Sequence, residues 1–244
     1  MAKKTTKKAA SSAAATTGVG DTLQIPGINW KEIRLFILGI TSLMFNRFPH
    51  ETLVGIQETL EKGPEEQKKP RAKALPPAMQ AFRALYLDDK ERVCVPSWHI
   101  KAAMGNAVSM LPGNGMGKIL SKAKFRGAVH VLGFKIPLAS TPYTINSQMV
   151  KSGGKSGGRV PAHRPEFALW ALPVTIKFDA DLFTPEAVVA LLARAGSQCG
   201  IGSYRINCNG PHGEFRPGAE REYRERLKEI EDYKKTTRKL RKAS

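Results

Sequence analysis

The 244-residue chain is 41% hydrophobic, enough for a sizeable core, and carries a formal charge of +18 at pH 7. That excess repels itself unless a polyanion neutralises it, so an acidic partner is expected. Cys94, Cys199 and Cys208 lack C-x-x-C spacing, which argues against a zinc ribbon or a disulfide framework and for a reducing, cytoplasmic setting.

In chain order, residues 1–25 are rich in Lys, Ala, Thr and Ser, lack the apolar segment of a signal peptide and read as a disordered basic tail. Residues 32–43 read as a strand buried on both faces, with Ile33, Leu35 and Ile37 on one side and Phe36, Leu38 and Ile40 on the other. The whole apolar run 33–45 is too short to cross a bilayer, so no membrane partner is expected. Leu53, Ile56 and Leu60 suggest a short amphipathic helix, and 62–77, with four prolines, an extended insertion. LYLDDKERVCV reads as a hairpin around Asp88 to Glu91 that leads into a helix from Ser97, with Ile100, Ala103, Ala107 and Met110 at core spacing.

FRGAVHVLGFKIPL, 125–138, reads as a strand, and 139–166 as a long irregular insertion. FALWALPVTIKFD, 167–179, is the next strand, with Pro173 expected to confine its middle to an edge or a bulge. Thr184 as N-cap and Pro185 at the first helical position open a helix whose buried face is Val188, Leu191, Leu192 and Ala195. A glycine-punctuated turn and a short strand follow. From Ala219 a charged helix runs to 244, with Glu220–Arg224, Glu222–Arg226 and Glu231–Lys235 pairs and a thin Tyr223, Leu227, Ile230 stripe. The order of elements fits an α+β, ferredoxin-like domain over 26–218 with long insertions.

The charge is unevenly placed. Residues 92–165 contain eleven Lys or Arg and no Asp or Glu across 74 positions, whereas the remainder of 31–218 is balanced. An acid-free block of that length is the expected footprint of nucleic acid. Within it, Lys151, Lys155, Arg159 and His163 recur at every fourth position around two Gly-Gly pairs, followed by Arg164. GGKS is not a phosphate-cradling P-loop, because Met149 stands where its first glycine belongs. The spacing suits a flexible strap whose cations meet successive phosphates.

Aromatic residues are only 7% of the chain, and Ala128 and His130 stand where an RNA-recognition strand would carry aromatics. An aromatic platform is therefore not expected, and sequence preference should be low. The nucleic-acid-binding candidates are Arg47, His99, Lys101, Lys118, Lys122, Lys124, Arg126, Lys151, Lys155, Arg159, His163, Arg164, Tyr204 and Arg205. His99 and Lys101 would sit near a positive helix N-terminus, and Gly200 and Gly202 could bring backbone amides to a phosphate. His163, between Arg159 and Arg164, could instead act as the general base of a metal-independent ribonuclease. A basic assembly protein acting through its tails is the third reading. No cofactor or metal is indicated.

VPSWHIKAAM (95–104) resembles the helix-opening segment of the RAMP superfamily, and CGIGSYR with GEF resembles its C-terminal glycine turn and last strand. With the long basic insertion ending RVPAHRPEF, the arrangement over about 32–217 is similar to backbone subunits of CRISPR effector complexes and their stand-alone phage relatives. The resemblance implies a modified RNA-recognition-motif palm with inserted thumb and finger elements, coating single-stranded RNA or DNA as a helical homo-oligomer without cutting it. It implies that Ser97 opens the family's helix and that Lys101 meets backbone phosphate. The family's Gly-Ser opening is replaced here by Ser97-Trp98.

Overall fold

The computed structural model describes residues 27–48, 54, 57, 75–112, 120–151 and 158–243. In chain order its elements are β1 (Trp30–Gly39), β2 (Leu43–Met44), α1 (Pro77–Arg83), β3 (Cys94–Pro96), α2 (Ser97–Ser109), α3 (Lys122–Ala128), β4 (Val129–Val131), β5 (Lys135–Pro137), β6 (Ala139–Ser140), β7 (Thr144–Lys151), β8 (Arg159–Phe167), β9 (Trp170–Asp179), α4 (Pro185–Gln198), β10 (Phe215–Gly218) and α5 (Glu220–Ala243). The result is mixed α and β, with every described strand pair antiparallel.

The main sheet has the order β10-β1-β9-β4, with β6 also on β9. β9 alternates, as a strand between two layers must. Leu172, Val174, Ile176 and Phe178 face α2 and α4 and join Ile100, Ala103, Met104, Val188, Leu191 and Leu192 in one core. α4 starts where its sequence dictates, because Thr184 Oγ1 accepts from the Ala187 amide at 3.2 Å and Pro185 needs no partner for a missing N–H. Its Gly196 faces β10 so closely that a methyl group there would collide with the Phe215 carbonyl.

The opposite face of the sheet is half covered. Tyr223 of α5 stacks on Phe36 with ring centroids 4.7 Å apart, Arg226 Nη1 donates to Gly39 O at 3.2 Å, and Ile230 is buried. This cover is why Phe36, Ile37 and Leu38 are buried on both sides of β1. Towards the start of β1 the face opens, and Glu32 and Arg34 are exposed.

Residues 139–166, expected to be irregular, instead contain β6 and a long hairpin. β7 and β8 pair from Thr144↔Glu166 to Lys151↔Arg159, and β2 joins at the base through Leu43↔Phe167. Its base packs on α1. α1 itself lies at the end of the stretch read as an extended insertion, since Pro77 can open a helix as readily as break one.

Other expectations shift in the same local way. Phe125, Arg126 and Ala128 close helix α3 rather than opening a strand, because Ser121 Oγ caps it by accepting from the Lys124 amide at 3.2 Å. The chain then makes two short strands, turned at Gly133 with φ +82°. Pro173 sits inside the sheet, paired with Phe36 on β1. On its other side it falls between the β6 and β4 pairings, where a missing N–H breaks no ladder. Ile40 and Met110 are exposed, each just past the end of its element. In α5, Glu220–Arg224 forms as expected, but Glu222 pairs with Arg216, Arg226 with Glu229 and Glu231 with Lys234. The disordered tail over 1–25 lies outside the described residues, as does the helix suggested around 53–60 apart from Val54 and Gln57, both helical. Among the described residues, no helix is long and apolar enough to cross a membrane.

Candidate nucleic-acid interface

The first turn of α2 meets the glycine turn that follows α4. His99, Asn106, Gly200, Gly202 and Arg205 line a small cleft there, of about 90 Å³. The turn needs glycine: Gly202 has φ +84°, and a Cβ would lie 2.5 Å from Met44 O. Arg205 is drawn back over it, Nη1 donating to Gly202 O at 3.1 Å.

His99 lies edge-on to Tyr86, centroids 5.1 Å apart, and its Nδ1 is buried with no hydrogen-bond partner. Burial, seconded by the charge of Arg205, pushes its pKa down to about 4. His99, read as a nucleic-acid-binding candidate, is thus neutral at pH 7. Lys122 closes the far end of the cleft, with Nζ donating to Asn106 Oδ1 at 3.0 Å.

A second polar cluster joins this cleft to the base of the hairpin. Ser42 Oγ donates to Glu166 Oε1 at 2.6 Å and lies 2.8 Å from His212 Nδ1, which in that arrangement carries the proton and donates to Ser42. Asn146 Nδ2 donates to Glu166 Oε2 at 2.7 Å. Burial raises the Glu166 pKa, yet the hydrogen bonds from Ser42 and Asn146 and the nearby His212 outweigh it, and the carboxyl is held below its usual range. Tyr204 stands over His212 at 5.9 Å between ring centroids, exposed, with φ +50°. A non-glycine residue in that left-handed region is held there by its surroundings. Here His212 N donates to Tyr204 O at 3.3 Å, and Gly210 packs so tightly on that carbonyl that no side chain fits.

The hairpin divides the cations predicted to act as one row. Strand alternation puts Arg159 and His163 on one face and Arg164 on the other. Arg159 is exposed, while His163 Nδ1 lies 2.7 Å from Ser147 Oγ. Arg164 lies opposite Asn146 in register and is half-buried, its Nε without a partner, and burial pushes its pKa down. Lys151 pairs with Arg159 in register. Lys118 and Lys155 lie outside the described residues. Arg47 is exposed, its amide donating to Ala84 O at 3.0 Å.

Lys101 belongs to a different neighbourhood. Two positions apart on a helix, His99 and Lys101 point about 200° apart around its axis. Lys101 Nζ donates to Arg126 O at 3.0 Å and lies 3.3 Å from His130 Nδ1, and burial lowers its pKa. Lys124 and Arg126 are exposed on α3 close by. The described cations therefore form two groups about α2: one from Lys122 at the start of α3 through the glycine turn to the hairpin, the other at Lys101, with Lys124 and Arg126 farther along α3.

No protein-family model matches the chain, and no curated protein matches it. Among solved structures it is similar to a chain of the type III-B Cmr-beta complex bound to cognate target RNA, with 10% identity and a TM-score of 0.46 over 78% of this chain and 59% of that one. It thus spans less than two thirds of that chain's length. It is also similar to Cmr6 from Pyrococcus furiosus, with 8% identity and a TM-score of 0.39 over 79% of this chain and all of that one. Likeness at this distance gives no residue here its role.

Sequence reasoning missed Ser42, His212, Glu166 and Asn146, which come together from four separate stretches of the chain. A usable signal was Glu166 itself, the first acid after 74 positions without one. It also missed the aromatic residues around β4. Ala128 and His130 are indeed not aromatic platforms, but His130 meets Trp30 of β1 at 5.4 Å, and Phe134 and Trp98 lie exposed beside it.

Proposed function

We propose that the chain is a non-catalytic protein that binds single-stranded RNA or DNA through its sugar-phosphate backbone, with little regard to sequence, and coats the strand as a side-by-side homo-oligomer. The observation that carries this reading is that the cleft lined by His99 and Arg205, with Lys122 bonded to its Asn106 wall, is linked through the glycine turn and the Tyr204, His212, Ser42 and Glu166 contacts to the base of the hairpin, whose Arg159 is exposed. Cleft and hairpin draw their cations from the acid-free block and from the glycine turn.

The same reading takes the palm as a ferredoxin-like variant of the RNA-recognition motif. It is supported by the sequence β1, α2, β4, β9, α4, β10 and the antiparallel spatial order β10-β1-β9-β4, which is a split βαβ arrangement. The β7–β8 hairpin and the segment before α1 are then the inserted finger and thumb. The RNA-bound neighbour favours RNA as the first strand to test.

The test measures binding of equal-length single strands of unrelated sequence, and of a duplex, at low and moderate salt, and follows RNA integrity in EDTA. Similar affinities for all single strands, weaker duplex binding and intact RNA are expected. Duplex preference would overturn the reading, and RNA cleavage lost in His163→Ala would replace it with the ribonuclease.

A further inference from the structure

We propose that the open pocket between Trp30 and Phe134, on the flank of α2 away from the glycine turn, takes an unpaired nucleobase of the bound strand. This deepens the reading of the chain as a single-strand binder and rests on it. The pocket has a volume of about 510 Å³ and is lined by Trp30, His130, Lys177 and the 131–134 turn.

Exposed apolar side chains scattered singly are ordinary, but this is a cluster. Phe134 is 68% exposed and Trp98 45%, with ring centroids 4.9 Å apart. Both are set by backbone rather than by packing: Gly133 at φ +82° turns the chain, and the Ser97 amide donates to Phe134 O at 3.1 Å. The opposite wall is equally fixed. His130 is held at both ring nitrogens, Nε2 2.9 Å from Gly127 O and Nδ1 3.3 Å from Lys101 Nζ, so the ring is oriented edge-on to Trp30. Lys177 Nζ lies over the Trp30 ring, 5.0 Å from its centroid.

Flat aromatic walls with a lysine at the rim are what stacking a base and holding its phosphate require. Charge complementarity selects this occupant over a second protein surface. The turn bearing Phe134 lies within the acid-free block, Lys177 lines the pocket and Lys101 meets its His130 wall, against the carboxylate of Glu32 in register with Lys177.

The experiment compares a labelled oligouridylate or oligothymidylate, whichever binds the wild type more tightly, with a strand of the same sugar-phosphate chain lacking bases. Phe134→Ala and Trp30→Ala should weaken the base-bearing strand by about 5- to 100-fold, the range base–aromatic stacking gives. Binding of the abasic strand should be unchanged, and Phe134→Tyr should retain wild-type affinity. Tryptophan fluorescence should be quenched by the base-bearing strand alone. Because Phe134 is mostly exposed, its replacement leaves the core intact, which makes it the deciding variant. Unchanged affinity in Phe134→Ala, or equal losses on both strands, overturns the pocket while leaving backbone binding in place. So does a change of sedimentation in Phe134→Ala without strand, which would make the patch a protomer contact. If the wild type binds neither strand, the single-strand reading itself falls, and the pocket with it.

Discussion

His99 is the residue whose ionisation most directly reports the structure around it. Its folded pKa of about 4 lies below the ordinary 6.5, because charging the ring would strip water from a cation already beside Arg205. Between those values the unfolded chain takes up a proton that the folded chain refuses, so stability falls as the pH drops from 6.5 towards 4 and levels off below. The loss from this group is on the order of 3 kcal/mol. In His99→Leu, the urea midpoint should drop less between pH 7 and pH 4.5 than in the wild type. Equal drops in the two proteins would show that His99 is not buried in this way. The same neutrality assigns the charge of the cleft to Arg205 and Lys122, and leaves His99 as a shaped wall with one unused ring nitrogen.

At the scale of elements, the C-terminal helix is the piece whose existence sequence periodicity showed and whose place in the fold it left open. Its charge pattern and its thin Tyr223, Leu227, Ile230 stripe were legible, but nothing local says that the stripe lies on the sheet. Packed there, it closes the second face of β1 over Phe36 and Leu38. Ile230→Ala should therefore cost about 2–4 kcal/mol, as for other buried aliphatic residues. Replacing the exposed Arg221 and Lys228 by Ala should change stability by less than about 0.5 kcal/mol. Chemical unfolding of the two variants checks both; equal, small effects would mean that the helix is not docked. The same docking means that removing 219–244 tests the core as well as the tail's charge.

Legibility followed how local the cause was. α4 was readable because Thr184 and Pro185 cap it within one turn, and α2 because its apolar spacing is local, although its N-cap is Pro96 and Ser97 makes no capping bond. α3 was misread as a strand because its Ser121 cap precedes the stretch and only three residues after it, Val129 to Val131, are in β4. The β7–β8 hairpin was unreadable because its strands carry polar, proline and basic residues on both faces, and their pairing depends on partners across the turn. The Ser42, Glu166, His212 cluster was likewise hidden, since only the register of the finished sheets brings its members together.

For the whole molecule, the uneven charge and the hairpin geometry together fix how binding should respond to salt. If each protomer neutralises four to six phosphates of a single strand, log K should fall with log salt by roughly 0.7 per phosphate, a slope near −3 to −4. The hairpin cations should not contribute equally to that slope. Arg159 is exposed near the hairpin tip and free to meet phosphate, so Arg159→Ala should weaken binding of every sequence alike and make the slope shallower by roughly 0.7. Arg164 faces the other way and is half-buried opposite Asn146, so Arg164→Ala should act mainly on the hairpin's own stability and leave the slope nearly as it was. Affinity measured across a salt series for the three proteins decides between a divided and a uniform row. Equal changes of slope in the two variants would mean that both side chains reach the strand and that the hairpin must twist on binding to bring Arg164 round.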